Sequence, residues 1–315
     1  MEKICITGGA GFIGSHLAEY CSEQGFYVEV IDNLRSGYEK NLENIKNTRL
    51  HRVSVLDRDS VFSIVQGCKY IFNLAAMISV PESMSNPIGC VEINVNGLIN
   101  ILDAAVKYKV EKLVHSSSAA IYGDDPELPK RTNMLPNPKS PYGITKLDGE
   151  YYLNMYSDFY NIKTSSLRYF NVFGPRQDPK SQYAAAIPIF VYKAIKNEDI
   201  IIYGDGTQTR DFVYVKDVAK ANFLAALNPL KKGVFNVANG KTITIKELAE
   251  IIIEFTGSKS KIHFASERPG DIKHSLASIT ETTDILKFEP VYDLKDGLNK
   301  TVQYFLTLYN LAKDN

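Results

Sequence analysis

Tyr142 and Lys146 stand four residues apart in Ser140-Pro141-Tyr142-Gly143-Ile144-Thr145-Lys146, a spacing that puts a phenol and an ammonium on one helical face. Ser140 suits the cap of that helix and Pro141 its first position, so the pair sits at a defined root. A free phenol titrates near 10 and is a poor base at neutral pH. A neighbouring ammonium, together with the positive ring of an oxidised nicotinamide, favours the phenolate. Taken alone, the motif also fits a core tyrosine beside an unrelated surface lysine. Its company decides the matter. Upstream, Gly8-Gly9-Ala10-Gly11-Phe12-Ile13-Gly14 lies between a short strand and a helix. The first spaced glycine allows a tight turn, the second admits a pyrophosphate and the third lets strand and helix pack closely, while the helix start attracts the anion. Asp32, 18 residues after Gly14 at the end of the next strand, suits the ribose diol of NAD and repels a 2′-phosphate. Arg35 is the neighbour that would serve NADP, and a purely structural glycine turn is the plain alternative. Together the segments imply redox chemistry at a sugar-like alcohol.

Those groups need a scaffold, and the first half of the chain supplies one by alternation. Stretches 4–7, 27–31, 50–55, 70–74 and 112–115 have strand length and β-branched or aromatic bias, with helical patterns between them. This predicts an α/β fold: a Rossmann-type, doubly wound parallel sheet with helices on both faces, whose switch point takes the dinucleotide. Helices are predicted at about 87–108 and 142–160, the latter carrying Tyr151, Tyr152, Tyr156 and Tyr160, read as packing residues or as a dimer seam. After Phe173-Gly174-Pro175 the pattern becomes less regular. Strands are predicted at 200–203 and 234–237, and helices near 244–256 and 295–311. The expected division is a dinucleotide domain over 1–170, joined again by about 211–240, and a smaller mixed α/β substrate lobe over 171–315, mainly 171–210 and 241–315.

Composition sets the bounds. Of 315 residues, 44% are hydrophobic and 23% charged; Lys+Arg and Asp+Glu both number 36, so no basic field is available for nucleic acid. Cys5, Cys21, Cys68 and Cys90 show no Cys-x-x-Cys spacing and read as reduced core residues. The five histidines form no metal-binding pattern, so no metal is expected. The sequence enters a strand at once, leaving no room for a signal peptide, and no apolar run approaches a membrane span. A cytoplasmic enzyme is the expectation.

With the glycine loop, Asp32, Asn73-Leu74-Ala75-Ala76, Ser116-Ser117-Ser118 and Tyr142/Lys146 in this order, the chain resembles the extended short-chain dehydrogenase/reductases. It is most similar to the UDP-hexose 4-epimerases, and among them to the UDP-N-acetylglucosamine branch. The resemblance extends through Leu167-Arg168-Tyr169-Phe170-Asn171, Gly174-Pro175-Arg176-Gln177-Asp178-Pro179, Tyr203-Gly204-Asp205-Gly206, Thr209-Arg210-Asp211-Phe212 and Arg268-Pro269-Gly270-Asp271. It implies Tyr142 as base, Lys146 as its electrostatic partner and ribose ligand, and Ser118 as hydrogen-bond partner of the reacting hydroxyl. For the cofactor it implies Gly8, Gly11, Phe12, Ile13, Gly14, Asp32 and Asn33, with Asp57 near the adenine. Leu74, Ala75, Ala76 and Ser116 would also line that site, Tyr169 would flank the nicotinamide, and Asn94 would stand behind the catalytic centre. Asn171, Arg210, Arg268 and Asp271 would hold the UDP phosphates and adjoining groups, with Tyr203 beside the uracil. A homodimer through the two long helices is also implied, and two-fold dimers are common in general.

Relatives diverge after the first oxidation. Dehydratases of the family carry Asp-Glu just after the serine or threonine, and decarboxylases a glutamate; here Ala119, Ala120 and Ile121 follow Ser118. The resemblance therefore favours 4-epimerisation with NAD over 4,6-dehydration, and an idle NAD-binding regulator would lack Tyr142 or Lys146. Ser275 matches the position facing the sugar's carbon-2 substituent, where epimerases restricted to UDP-glucose and UDP-galactose tend to have tyrosine. Its small side chain leaves room for an N-acetyl group. Ala119 stands where the N-acetyl branch often has a second serine, so UDP-glucose and a uronic form stay open as substrates.

Overall fold

The computed structural model describes residues 1–179, 185–267 and 273–311. Six strands in chain order, β1 (Lys3–Thr7), β2 (Tyr27–Ile31), β3 (Thr48–His51), β4 (Cys68–Asn73), β5 (Lys112–Ser118) and β6 (Lys163–Tyr169), build most of one sheet. Four short strands follow, β7 (Asn171–Phe173), β8 (Ile200–Tyr203), β9 (Thr209–Arg210) and β10 (Phe212–Tyr214), and then β11 (Val234–Val237), β12 (Ile243–Thr244) and β13 (Ile262–Ala265). The helices are α1 (Phe12–Glu23), α2 (Arg58–Val65), α3 (Val80–Ser85), α4 (Pro87–Val91), α5 (Gly97–Lys107), α6 (Pro141–Tyr160), α7 (Ala186–Ile195), α8 (Val215–Leu227), α9 (Ile245–Thr256), α10 (Thr280–Leu286) and α11 (Leu294–Leu311).

The main sheet runs β11-β6-β5-β4-β1-β2-β3, with every pair parallel. Residues alternate across it with period two: Ile4 and Ile6 join a cluster with Leu17 of α1 and Val218 of α8, whereas Cys5 and Ile71 join Leu98, Leu102 and Leu153 on the other face. Both faces are therefore apolar and covered, as a parallel sheet requires. β1 pairs with β2 on one side and β4 on the other, so chain direction along the sheet reverses there. The crevice at that reversal is where α1 begins. Residues 215–237 return to this sheet, as α8 against α1 and as edge strand β11 beside β6. A third apolar cluster, with Phe173, Phe190, Ile202, Leu248 and Leu298, holds α7, α9 and α11 together beside the sheet.

Three sequence readings change. The strand expected over 50–55 ends at His51, because Val53 N–H turns back to the His51 carbonyl (2.9 Å) and Val53 and Val55 then face the crevice. The helix expected over 87–108 is continuous but contains a π turn at Glu92–Asn96 between α4 and α5. That turn delivers Asn94 inward, where its amide donates to Thr145 Oγ1 (2.9 Å) and to the Met77 carbonyl (3.2 Å) and accepts from Met77 N–H (2.7 Å). The same 21-residue stretch, Pro87–Lys107, is long and apolar enough to span a membrane, contrary to the expectation of no such run. Half of it is buried inside the protein, against α6 and the sheet, which accounts for its apolar character.

Candidate active site

The chemistry-bearing helix is fixed at its root. Ser140 caps α6, its Oγ accepting from Gly143 N–H (3.1 Å), and Pro141 is the first helical residue. Gly149 brings α6 against β5 so closely that a Cβ there would lie 2.5 Å from His115 Nε2. This approach carries Lys146 to the end of β5, where its Nζ donates to the Ser116 carbonyl (2.7 Å). Ser118 ends the same strand on the Tyr142 side of the cavity, where its hydroxyl acts to lower the phenol's titration. The Ser118 hydroxyl also accepts from Ala120 N–H (3.2 Å), capping the short 3-10 turn Ala119–Tyr122. Ser116, Ser118, Tyr142, Lys146 and Tyr169 line one cavity of about 610 Å³.

The electrostatics correct the sequence reading. Burial pushes the Tyr142 phenol above its ordinary value, and the Ser118 hydroxyl only partly opposes this. Burial also drives Lys146 down to about 8. The ammonium is committed to a carbonyl and lies 5.8 Å from the Tyr142 ring centre, so it does not by itself deliver a phenolate. Within the chain the pair is protonated phenol and weakly held ammonium. Tyr169 is raised by burial as well, its hydroxyl donating to Asn222 (2.8 Å), which marks it as wall rather than base.

The other end of the cavity is a dinucleotide cradle by its own geometry. α1 follows Gly11 at its N-cap position, with no side-chain cap and no acid in its first turn, so its N–H groups are left to an anion. Gly14 packs so tightly on the preceding loop that a Cβ would lie 2.2 Å from the Gly8 carbonyl oxygen. Gly14→Ala should therefore lose bound NAD and cost at least about 2–3 kcal/mol of stability, measured as absent NAD in the purified protein and a lowered melting temperature. Asp32 is held in place by Ala10 N–H (3.0 Å) and Leu34 N–H (2.8 Å), and Gly8, Gly11, Phe12, Ile13, Gly14, Asn33, Leu74, Ala75 and Ala76 line the same cavity. A pyrophosphate at the helix start and a diol at Asp32 would be well matched here.

Over residues 4–238 the sequence matches the NAD-dependent epimerase/dehydratase family. The chain belongs to that family. A putative UDP-glucose 4-epimerase of Methanocaldococcus jannaschii is 40% identical, covering 96% of this chain and 97% of its own length. A UDP-N-acetylglucosamine 4-epimerase of Methanobrevibacter ruminantium, solved with UDP-N-acetylmuramic acid, superposes with a TM-score of 0.93 at 40% identity over 98% of this chain and 99% of that one. The UDP-glucose 4-epimerase of Thermus thermophilus, solved with NAD, gives 0.88 at 36% over 96% and 98%. NAD is the cofactor of this family member, and the chain falls among its UDP-sugar 4-epimerases.

Not every expected residue gathers at the crevice. Asp57 caps α2, accepting from Ser60 N–H (3.2 Å) and Ser60 Oγ (2.7 Å), and is not among the residues lining the cavity, which here include Ser54 and Val55. Asn94 stands behind the catalytic pair and does not line the cavity among its described residues. The Asn171 amide donates to the Asp211 carbonyl (2.9 Å), and Arg210 donates to the Thr209 carbonyl (2.9 Å) at a second cavity of about 570 Å³. Tyr203 and half-buried Ser275, whose N–H donates to the Thr209 carbonyl (3.1 Å), line neither. Arg268 and Asp271 lie outside the described residues. The motif arithmetic also missed Tyr38, Arg176 and Asp178, which line the first cavity from loops that glycine and tyrosine spacing does not reach. Asp211 is fully buried, pushed up to about 6 by that burial, and accepts from the N–H groups of Asn239, Gly240 and Ala277 (2.9–3.1 Å).

Proposed function

We propose that the protein interconverts UDP-N-acetylglucosamine and UDP-N-acetylgalactosamine, and also UDP-glucose and UDP-galactose, through a 4-keto sugar. Bound NAD supplies a hydride acceptor and donor and a positive ring charge beside the phenol. Tyr142 takes the proton of the sugar 4-hydroxyl and later returns it, Ser118 orients that hydroxyl, and Lys146 anchors the ribose while balancing charge. Net inversion needs the keto sugar to present its opposite face, so segments 171–210 and 241–315 act as the lobe that holds the UDP while the ring turns.

One observation carries the choice of epimerisation. Among the described residues lining the cavity the acids are Asp32 and Asp178, and each is committed, Asp32 to Ala10 and Leu34 and Asp178 to Tyr38. The turn after Ser118 is Ala119-Ala120-Ile121, so among the described residues no uncommitted acid stands ready to take a carbon-5 proton and expel a 6-hydroxyl. The family resemblance gives small Ser275 room for an acetylated substrate, although in this structure it lines neither cavity. Incubation with UDP-N-acetylglucosamine, UDP-glucose and the uronic form, followed by proton NMR, tests the reading. Inverted carbon-4 signals in the first two support it, while a deoxy-keto product would replace it by dehydration.

The same reading includes a homodimer. Ile144, Tyr151, Met155 and Phe159 form an exposed stripe along α6, Phe159 being 81% exposed, and Ile88 and Val91 of neighbouring α4 extend it. Tyr151→Glu with Phe159→Glu should convert a dimer to a monomer in light scattering; an unchanged mass would remove this face from the interface.

A further inference from the structure

The NAD crevice is crossed by a hydrogen bond whose two ends are tied back to one helix start. Tyr38 Oη donates to Asp178 Oδ2 (2.6 Å), and both residues line the cavity. On the Tyr38 side, the loop leaving β2 is fastened to the glycine loop: Tyr38 N–H donates to the Ala10 carbonyl (3.0 Å), and so does the Asn41 amide (2.9 Å). Gly37 fits there only because it lacks a Cβ, which would lie 2.9 Å from both the Ala10 carbonyl carbon and an Asp32 oxygen. On the Asp178 side, the loop leaving β7 is fastened to the body of α1. His16 Nε2 donates to the Pro175 carbonyl (3.0 Å), and Arg176 pairs with Glu19 (3.0 Å) and reaches Ser15 Oγ (3.4 Å). Arg176 takes up a left-handed backbone, φ 67°, to do so. Burial and the nearby Arg176 charge hold His16 down to about 3, so at neutral pH it stays a neutral donor to that carbonyl.

Glycine loop, 32–41 loop, Tyr38–Asp178 contact, 175–178 loop and α1 thus make a closed circuit around the dinucleotide cradle. The other three junctions are covalent or anchored at several points, whereas the Tyr38–Asp178 contact is one bond at the solvent rim, with Tyr38 44% exposed. We infer that Tyr38 and Asp178 form a clasp that retains NAD, so that the cofactor leaves only when this bond opens. A reaction that takes a hydride and gives it back in one site needs such retention, since release of the reduced dinucleotide midway would strand the keto sugar.

The inference rests on NAD binding. It is tested on the holoenzyme by dilution into excess isotopically labelled NAD, with bound label measured by mass spectrometry over time. Tyr38→Phe and Asp178→Asn should each speed exchange about tenfold, the scale of one hydrogen bond to a charged acceptor. The double variant should be no faster than either single one, and the melting temperatures of the NAD-free proteins should not move. Exchange at the parent rate in both single variants, or effects that multiply in the double, would overturn the clasp while leaving NAD binding intact. A protein that holds no NAD at all would instead remove the cofactor assignment beneath it.

Discussion

Tyr142→Phe is expected to lower the epimerisation rate about 10³-fold while the protein still carries NAD. The magnitude is that of removing a positioned general acid–base group. The hydroxyl is the only atom lost: the ring keeps its place at the root of α6, set by Ser140 and Pro141, and Lys146 keeps its bond to Ser116. Substrate affinity should change far less than turnover, because proton transfer is felt mainly in the transition state. Residual activity within tenfold of the parent would show that another group takes the proton.

The same tyrosine predicts how charge is divided between protein and cofactor. In the chain alone, burial raises the phenol and lowers Lys146 to about 8. Lysine therefore carries its charge below about pH 8, while the phenolate forms only at higher pH, and the two charged states do not coincide. Loading NAD places a positive ring beside the phenol and should shift its titration downward. Ultraviolet difference titration of NAD-free and NAD-loaded protein, with Tyr142→Phe subtracting the other tyrosines, measures that shift. A phenol titrating equally in both would move the activating charge from cofactor to lysine.

How much of this could be read from the sequence depended on whether a residue acts through local spacing or through tertiary placement. Tyr142/Lys146 is an i, i+4 pair, and the glycines and Asp32 belong to one βαβ unit, so local rules reach them. The π turn at Glu92–Asn96 leaves no period in a sequence that is apolar on several sides, and a plain helix was the natural reading. Asp57 follows a different rule: a carboxylate three residues before Ser60 is an N-cap, a local role that the resemblance to the family did not single out. Tyr38 and Asp178 lie 140 positions apart and meet only because two loops converge on α1. No sequence period could have paired them. The phenol's raised pKa was also invisible, since spacing predicts the neighbouring ammonium but not the burial that outweighs it.

Glu150→Ala is expected to destabilise the protein by about 3–5 kcal/mol, because it strands a buried guanidinium. Glu150 and Arg168 are each 4% exposed in their side chains and meet through two bonds, Nε to Oε1 (2.9 Å) and Nη2 to Oε2 (2.7 Å). Ser117 Oγ donates to the same carboxylate (2.6 Å), and Arg168 lies over the Tyr122 ring at 4.9 Å. Three elements are thereby locked in register: α6 four residues past Lys146, β5 between Ser116 and Ser118, and β6. The melting temperature should fall by on the order of 10 °C. Turnover in the surviving folded protein should also fall, since Ser117 lies between Ser116, whose carbonyl holds Lys146, and Ser118. Replacing both partners, Glu150→Leu with Arg168→Met, removes the stranded charge and should recover much of the stability without recovering turnover. Recovery of both together would reduce the pair to packing; recovery of stability alone makes it the brace that sets Ser118 against Tyr142.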